Sequence, residues 1–253
     1  MDKKSALQYN NESEWQYIRG KHLLALASPK TGETVIDLGC GTGKLTQKLA
    51  HCVSPKGQVI AIDPDPNRLD IVKHYHCNTK LPINFILGSD NTLCDIKTDS
   101  IDLIYSNYVI HWIDNKLALL QNAHRCLKEE GRFVMELVGE LPTFITNITK
   151  LTEDHGQRLL SRFHCLSYVE WEALLQQNHF TIEHMDWIKL DYTFSDLEHF
   201  FSWWESTTHG TFQRSMLSEH ALLSLATTYP QKVTFSGYSL QSKVRKSQVR
   251  KSR

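Results

Sequence analysis

Residues 34–44 read TVIDLGCGTGK, a β-branched apolar run that stops against three alternating glycines. Val35, Ile36 and Leu38 make a short, almost wholly apolar run, so 34–38 reads as a strand buried on both faces. Past the loop, Leu45, Leu49 and Cys52 recur at helical spacing. Strand, glycine loop and helix in that order form the ligand-cradling start of an open α/β sheet. A dinucleotide loop of the form G-x-G-x-x-G, counted from Gly39, needs glycine at position 44, and Lys44 stands there. The register that fits is G-x-G-x-G over Gly39, Gly41 and Gly43, with the acidic Asp37 just ahead.

The same alternation continues outward. QVIAID (58–63) precedes a helical pattern marked by Leu69 and Val72, INFIL (83–87) leads into a short segment, and IDLIYS (101–106) leads toward Leu117, Leu120 and Ala123. RFVMELV (132–138) follows KEEG, where Gly131 is expected to supply the left-handed residue of a helix stop. Continuous apolar strands alternating with helices imply a parallel sheet covered on both faces and joined by right-handed crossovers. Ligands of such sheets bind beyond the carboxyl ends of the strands. Functional residues are therefore expected at Gly39, Asp63, Asp90 and Ser106.

After Val138 the pattern changes. Ser167 with Glu170, and Ser195 with Glu198, form capping boxes that predict helices near 168–178 and 196–206. FTIEHMDWIKLDYTF between them and KVTFSGYSL (232–240) read as two strands that pair antiparallel and close the sheet. The remaining helical material, about 140–165 and 196–229, is expected to cap the ligand edge. With no Pro/Gly/Ser linker, residues 1–245 read as one domain, and 246–253 as a basic disordered tail lacking acidic residues.

Lysine plus arginine and aspartate plus glutamate each number 28, which speaks against a stable nucleic-acid partner. Six scattered cysteines and a start without an apolar segment lead to the expectation of an intracellular, cytoplasmic protein with reduced thiols. No apolar stretch approaches the ~20 residues of a membrane span. HYHC (74–77) carries metal-capable groups, yet His74 and His76 leave a helix on different faces, and no metal site is expected. In FFSWW (200–204), Phe200, Phe201 and Trp204 share a helical face with Leu197 and read as core. Trp203, on the other side, is the one expected to reach an apolar ligand.

VIDLGCGTGKLT, AIDPD, GSDN and IDLIYSN together resemble the motif series of class I S-adenosylmethionine-dependent methyltransferases over residues 34–138. SNYVIHWI (106–113) is similar, more narrowly, to the branch containing juvenile hormone acid, trans-aconitate and malonyl-acyl-carrier-protein methyltransferases. The resemblance implies a Rossmann-like, doubly wound, mostly parallel seven-stranded α/β sheet with an antiparallel last strand and a helical substrate cap. It also implies adenosylmethionine as cofactor, held by Asp37, Gly39, Gly41, Gly43, Asp63, Pro64, Asp90, Asn91 and Ser106. Asp63 would accept from the ribose hydroxyls, Asp90 from the adenine amino group, and Arg19 would meet the cofactor's carboxylate.

That branch methylates carboxylates, so the resemblance implies a small-molecule acid as substrate. By position Gln16 and Trp112 would hold its carboxylate. A carboxylate, with a reference pKa of about 4, is already ionised and needs no general base. Donors such as an amide and an indole N–H suit the task of positioning it. His111 has two readings, a packed wall residue or a base, the latter for a phenol of pKa about 10. Methylation of a phenol, amine or carbon, and a non-catalytic adenosylmethionine-binding module, are the alternatives.

Overall fold

The computed structural model describes residues 3–76, 79–152 and 154–247. Two helices, α1 (Lys3–Glu12) and α2 (Glu14–Ala27), precede β1 (Thr34–Leu38), α3 (Lys44–Val53), β2 (Gln58–Asp63), α4 (Pro66–His76) and β3 (Ile83–Leu87). Then follow β4 (Ile101–Asn107), α5 (Lys116–Cys126), β5 (Leu127–Glu140), α6 (Thr143–Lys150), α7 (Asp154–Leu160) and α8 (Tyr168–Gln177). The chain ends with β6 (Phe180–Phe194), α9 (Leu197–Thr207), α10 (Glu219–Thr228) and β7 (Val233–Lys246). Among the described residues, seven strands form one sheet in the order β3-β2-β1-β4-β5-β7-β6. The pairs among β1 to β5 are parallel, and β7 runs antiparallel to both β5 and β6.

The sequence explains this layering at β1. Its pleat sends Ile36 and Leu38 into one core with Phe133, Trp171 and Leu120, and Val35 into the opposite core with Leu23, Leu49 and Val134. Asp37 shares the second face, where the Thr46 hydroxyl of α3 donates to its Oδ2 at 2.6 Å. Because strand order reverses between β1 and β4, their carboxyl ends open a crevice. Tyr105 of β4 donates to the carbonyl of Gly20 at 2.8 Å, which seats α2 beside that crevice. A third core, built from β6, β7, α6, α9 and α10, gathers Tyr192, Phe194, Phe200, Trp204 and Phe235 into the cap.

Several local expectations are corrected. The left-handed residue before the core of β5 is Glu130 (φ 63), and Gly131 is not left-handed. Pairing with β4 already begins at Leu127, so the chain turns within the strand rather than at a helix stop. Helix α9 is capped by Asp196, whose carboxylate accepts from His199 N at 2.8 Å; Ser195 instead donates to Asp196. Trp204 belongs to the cap core, as expected, but it also reaches the ligand cavity.

The basic segment does not start at 246 either. Val244, Arg245 and Lys246 pair in β7, with Arg245 bonded to Glu183 and Lys246 Nζ 2.6 Å from Asp99. Residues 248–253, the rest of that expected tail, and Cys77 of HYHC lie outside the described residues. No described helix is long and apolar enough to cross a membrane.

Phe133 is wholly buried at the centre of β5 in the core that carries α5 and α8. Phe133→Ala should therefore lower unfolding free energy by about 3–5 kcal/mol, read as a shift of the urea midpoint. A shift within about 0.5 kcal/mol, the range of surface substitutions, would show that this core carries little of the fold.

Candidate active site

The crevice at the carboxyl ends of β1, β2 and β4 continues into a cavity of about 680 Å³, with a side pocket of about 40 Å³ over the glycine loop. Its floor is made by the strand ends, Leu38, Gly39, Ile62, Asp63, Asn107 and Tyr108. Tyr9, Trp15 and Gln16 of the first two helices form one wall, and the cap supplies the roof from Pro142, Phe163, Tyr192, Trp203, Trp204 and His209.

The loop is shaped by close approach. Gly39 lies at φ 79, and a Cβ there would sit 2.1 Å from Val109 Cγ2. Gly43, also at φ 79, would clash equally with Val72 of α4. Gly39 and Gly41 line the pockets, whereas Gly43 lines neither and serves the packing of α3 on α4. The loop is tied to the next strand: Gly39 N and Cys40 N donate to Ile62 O at 2.8 and 3.0 Å, and Gly41 N to Asp63 Oδ2 at 2.8 Å. Asp63 Oδ1 accepts from Asp65 N at 2.9 Å. Burial raises the Asp63 pKa, opposed by the charge of Arg68 and these backbone donors.

Asp63, Pro64, Asp90 and Asn91 all line the main cavity, and Asp37 lines the side pocket. Burial pushes the Asp37 carboxyl up to about 7, against the Thr46 hydrogen bond. Gln16 Oε1 and Asn107 Oδ1 are buried acceptors without a hydrogen-bond partner, and both residues line both pockets. Unfilled acceptors beside a carboxylate suit an ammonium group, and Asp63 and Asp90 suit hydroxyl and amino donors further along. This set of acceptors thus fits an amino-acid nucleoside such as adenosylmethionine.

Besides Gly43, two further expected cofactor residues are placed elsewhere. Arg19 lines neither pocket; its Nε bonds Glu136 Oε1 at 2.7 Å, and that carboxylate is fully buried. Glu136 also accepts from the Tyr108 hydroxyl at 3.0 Å and Gln241 Nε2 at 2.9 Å, so the guanidinium neutralises a buried charge. Ser106 is likewise fully buried, and its hydroxyl donates to Leu38 O at 3.0 Å, tying β4 to β1. The cation at the side pocket is Lys44, bonded to Asn10 O and, at 3.4 Å, Ser13 Oγ. Residue 44 drew notice only as the missing glycine.

At the other end, Trp112 is half-buried and packs against Phe163 (4.2 Å between centroids) and His209 (5.7 Å). His111 is buried and stacks parallel on Phe163 at 5.7 Å; its Nδ1 accepts from Val138 N at 3.3 Å. Burial, aided by the Lys116 charge, depresses its pKa to about 3, so the ring is neutral with its proton on Nε2. Burial holds His209 near 3 as well. Gln16 Nε2 donates at 3.4 Å to Thr207 Oγ1, another cavity residue.

Motif reading passed over Tyr108 and Arg68. Tyr108 holds a left-handed φ of 58 and is secured by its N–H to Glu136 O at 2.7 Å and its hydroxyl to Glu136 and Ser239. Arg68 stacks 3.8 Å over the Tyr9 ring, fastening α1 across the cleft.

Comparison with known proteins bears on this geometry. A family model described as "Methyltransferase domain" matches residues 29–192. The chain is 26% identical over 199 residues to a protein designated methyltransferase 235L of Invertebrate iridescent virus 6, covering 74% of this chain and 70% of that one. It is 29% identical over 115 residues to a malonyl-[acyl-carrier protein] O-methyltransferase of Hahella chejuensis, covering 46% of this chain and 40% of that one. A solved Bacillus halodurans structure described as a methyltransferase superposes with a TM-score of 0.66 at 16% identity, over 90% of this chain and 99% of that one.

Because the Asp37 carboxyl titrates near 7 beside unfilled acceptors, its ionised form attracts a cationic ligand. Adenosylmethionine affinity should therefore fall roughly tenfold from about pH 8 to about pH 6 as Asp37 takes up its proton. Asp37→Asn should flatten that dependence in calorimetric titrations. An undiminished slope in the variant would assign it to another group.

Proposed function

This chain belongs to the methyltransferase-domain family and is an adenosylmethionine-dependent enzyme, and from that premise we propose that it methylates the carboxylate of a small acid to an ester. One observation carries the choice of acceptor: both imidazoles at the Trp112 end are packed against aromatic rings, and His111 Nδ1 is already taken by Val138 N, so neither stands ready as a base; burial lowers both pKa values to about 3, in the same sense. Amines and phenols must shed a proton when methylated, whereas a carboxylate sheds none. The resemblance of one relative, named for O-methylation of a malonyl group, supports an oxygen acceptor.

Adenosylmethionine, when bound, supplies a sulfonium methyl open to in-line displacement. In this reading Gly39 and Gly41 admit the cofactor's methionine portion, Asp37, Gln16 Oε1 and Asn107 Oδ1 take its ammonium group, and Asp63 and Asp90 hold the nucleoside. Trp112 and the second amide hydrogen of Gln16 orient the acid's carboxylate by neutral donation, which positions it without suppressing its nucleophilicity. His111 supports the wall beneath Trp112: its parallel stack on Phe163 fixes the ring that Trp112 leans on. The cap roofs the cavity, so in this reading sheet and cap act as one catalytic domain.

With an accepted acid, Trp112→Phe and Gln16→Ala should each lower kcat/KM about tenfold or more, while His111→Gln should cost less. With adenosylmethionine saturating at every pH, so that the Asp37 effect on cofactor binding is removed, the rate should show no rising limb near pH 6–7, since no base needs to lose a proton there. A rate that rises with an apparent pKa near 6.5 and collapses in His111→Gln would instead support a phenol or amine acceptor.

A further inference from the structure

The side pocket over the glycine loop carries one acid and one base. Among the described residues lining it, Asp37 and Lys44 are the only ones with charged side chains. Lys44 opens α3 and is half-buried, and its ammonium is fastened at the pocket wall. Nζ donates to Asn10 O and, at 3.4 Å, to the hydroxyl of Ser13, which lines the same pocket. An ammonium has three N–H groups, so one is left over. Among the described residues no carboxylate bonds it, and Glu14 acts on it only through space. Burial lowers its pKa, the mark of a charge short of compensation. The first turn of α3 has no side-chain cap, so the positive end of the helix dipole falls beside the same ammonium.

The other cations of the cleft are engaged elsewhere. Arg19 is held by Glu136, and Arg68 lines the main cavity but not the side pocket, stacked on Tyr9. Arg162 belongs to the cap wall of the main cavity, where it bonds Thr211 Oγ1 at 3.0 Å. An amino acid carries its carboxyl on the same carbon as its ammonium group, so a ligand whose ammonium sits at Asp37 brings its carboxylate into the side pocket too. Resting on the cofactor placement above, and not on the choice of acceptor, we propose that Lys44 takes the carboxylate of adenosylmethionine, the role that the motif series gave to Arg19. Asp37 and Lys44 then read the two charges of the amino-acid end as a pair. Held by Asn10 and Ser13, the ammonium is already in place before the ligand arrives, so little ordering cost falls on binding.

The test is calorimetric titration with adenosylmethionine and with its decarboxylated form, which lacks only the carboxyl group. It is run at about pH 8, above the Asp37 pKa of about 7, so that Asp37 is ionised. The wild-type protein should bind the carboxylate-bearing ligand about thirtyfold more tightly, the scale of a charge-assisted hydrogen bond. Lys44→Gln should bring that ratio to about threefold or less by weakening adenosylmethionine alone. Unchanged binding of the decarboxylated ligand shows at the same time that the variant is folded. Lys44→Met serves the same comparison where Lys44→Gln fails to fold. The more basic amine of the decarboxylated ligand affects both proteins alike and cancels between them. A wild-type ratio near one would overturn the proposal, with the Asp37 assignment still standing on its own pH dependence. An equal loss for both ligands in the variant would overturn it too, since an intact ratio makes Lys44 a support for the α1–α2 junction and nothing more. No binding of either ligand by the wild type would remove the cofactor placement and this inference with it.

Discussion

The Asp63 carboxylate holds the site together. Its two oxygens take backbone N–H groups from the glycine loop and from the turn into α4, so the ends of β1 and β2 are locked as one unit. Gly39 and Gly43 permit that closeness, one against Val109 and the other against Val72. Side-chain atoms at either glycine would force the loop away from Asp63. The crevice follows from that contact together with the strand reversal between β1 and β4.

Most of the sheet was legible because its signals are local. An apolar run bounded by glycine or by Asp-Pro states its own limits, and Gly39, Asp63 and Asp90 stand where strand ends put them. Arg19 and Ser106 depart from the motif expectation for a shared reason. Their partners, Glu136 and the Leu38 carbonyl, are set by tertiary packing across 117 and 68 residues of chain. Only the fold shows that Glu136 is fully buried and needs a cation. The same holds for Lys246, which reads as the start of the tail by composition and folds as strand by pairing with Phe180 of β6.

The chemistry of the cavity divides by polarity. Carboxylates and unfilled oxygen acceptors surround the strand ends, while the roof and the Trp112 end combine aromatic rings with neutral N–H donors. Burial governs the second region, keeping His111 and His209 neutral and pushing Tyr108 and Tyr192 well above their ordinary range. On the proposed reading, this region orients a nucleophile that arrives already ionised. Trp112 joins the two regions, its ring in the aromatic wall and its backbone in the short turn that follows β4.

Carboxyl methylation leaves a chemical signature in its product, and that product gives the most direct measurement. The enzyme is incubated with adenosylmethionine labelled in its methyl group and a panel of small acids, and the products are then held in mild base. Label leaving as volatile methanol is the result predicted for a methyl ester. Label that stays on a base-stable product would contradict the account, since it would place the methyl on a phenolic oxygen, nitrogen or carbon.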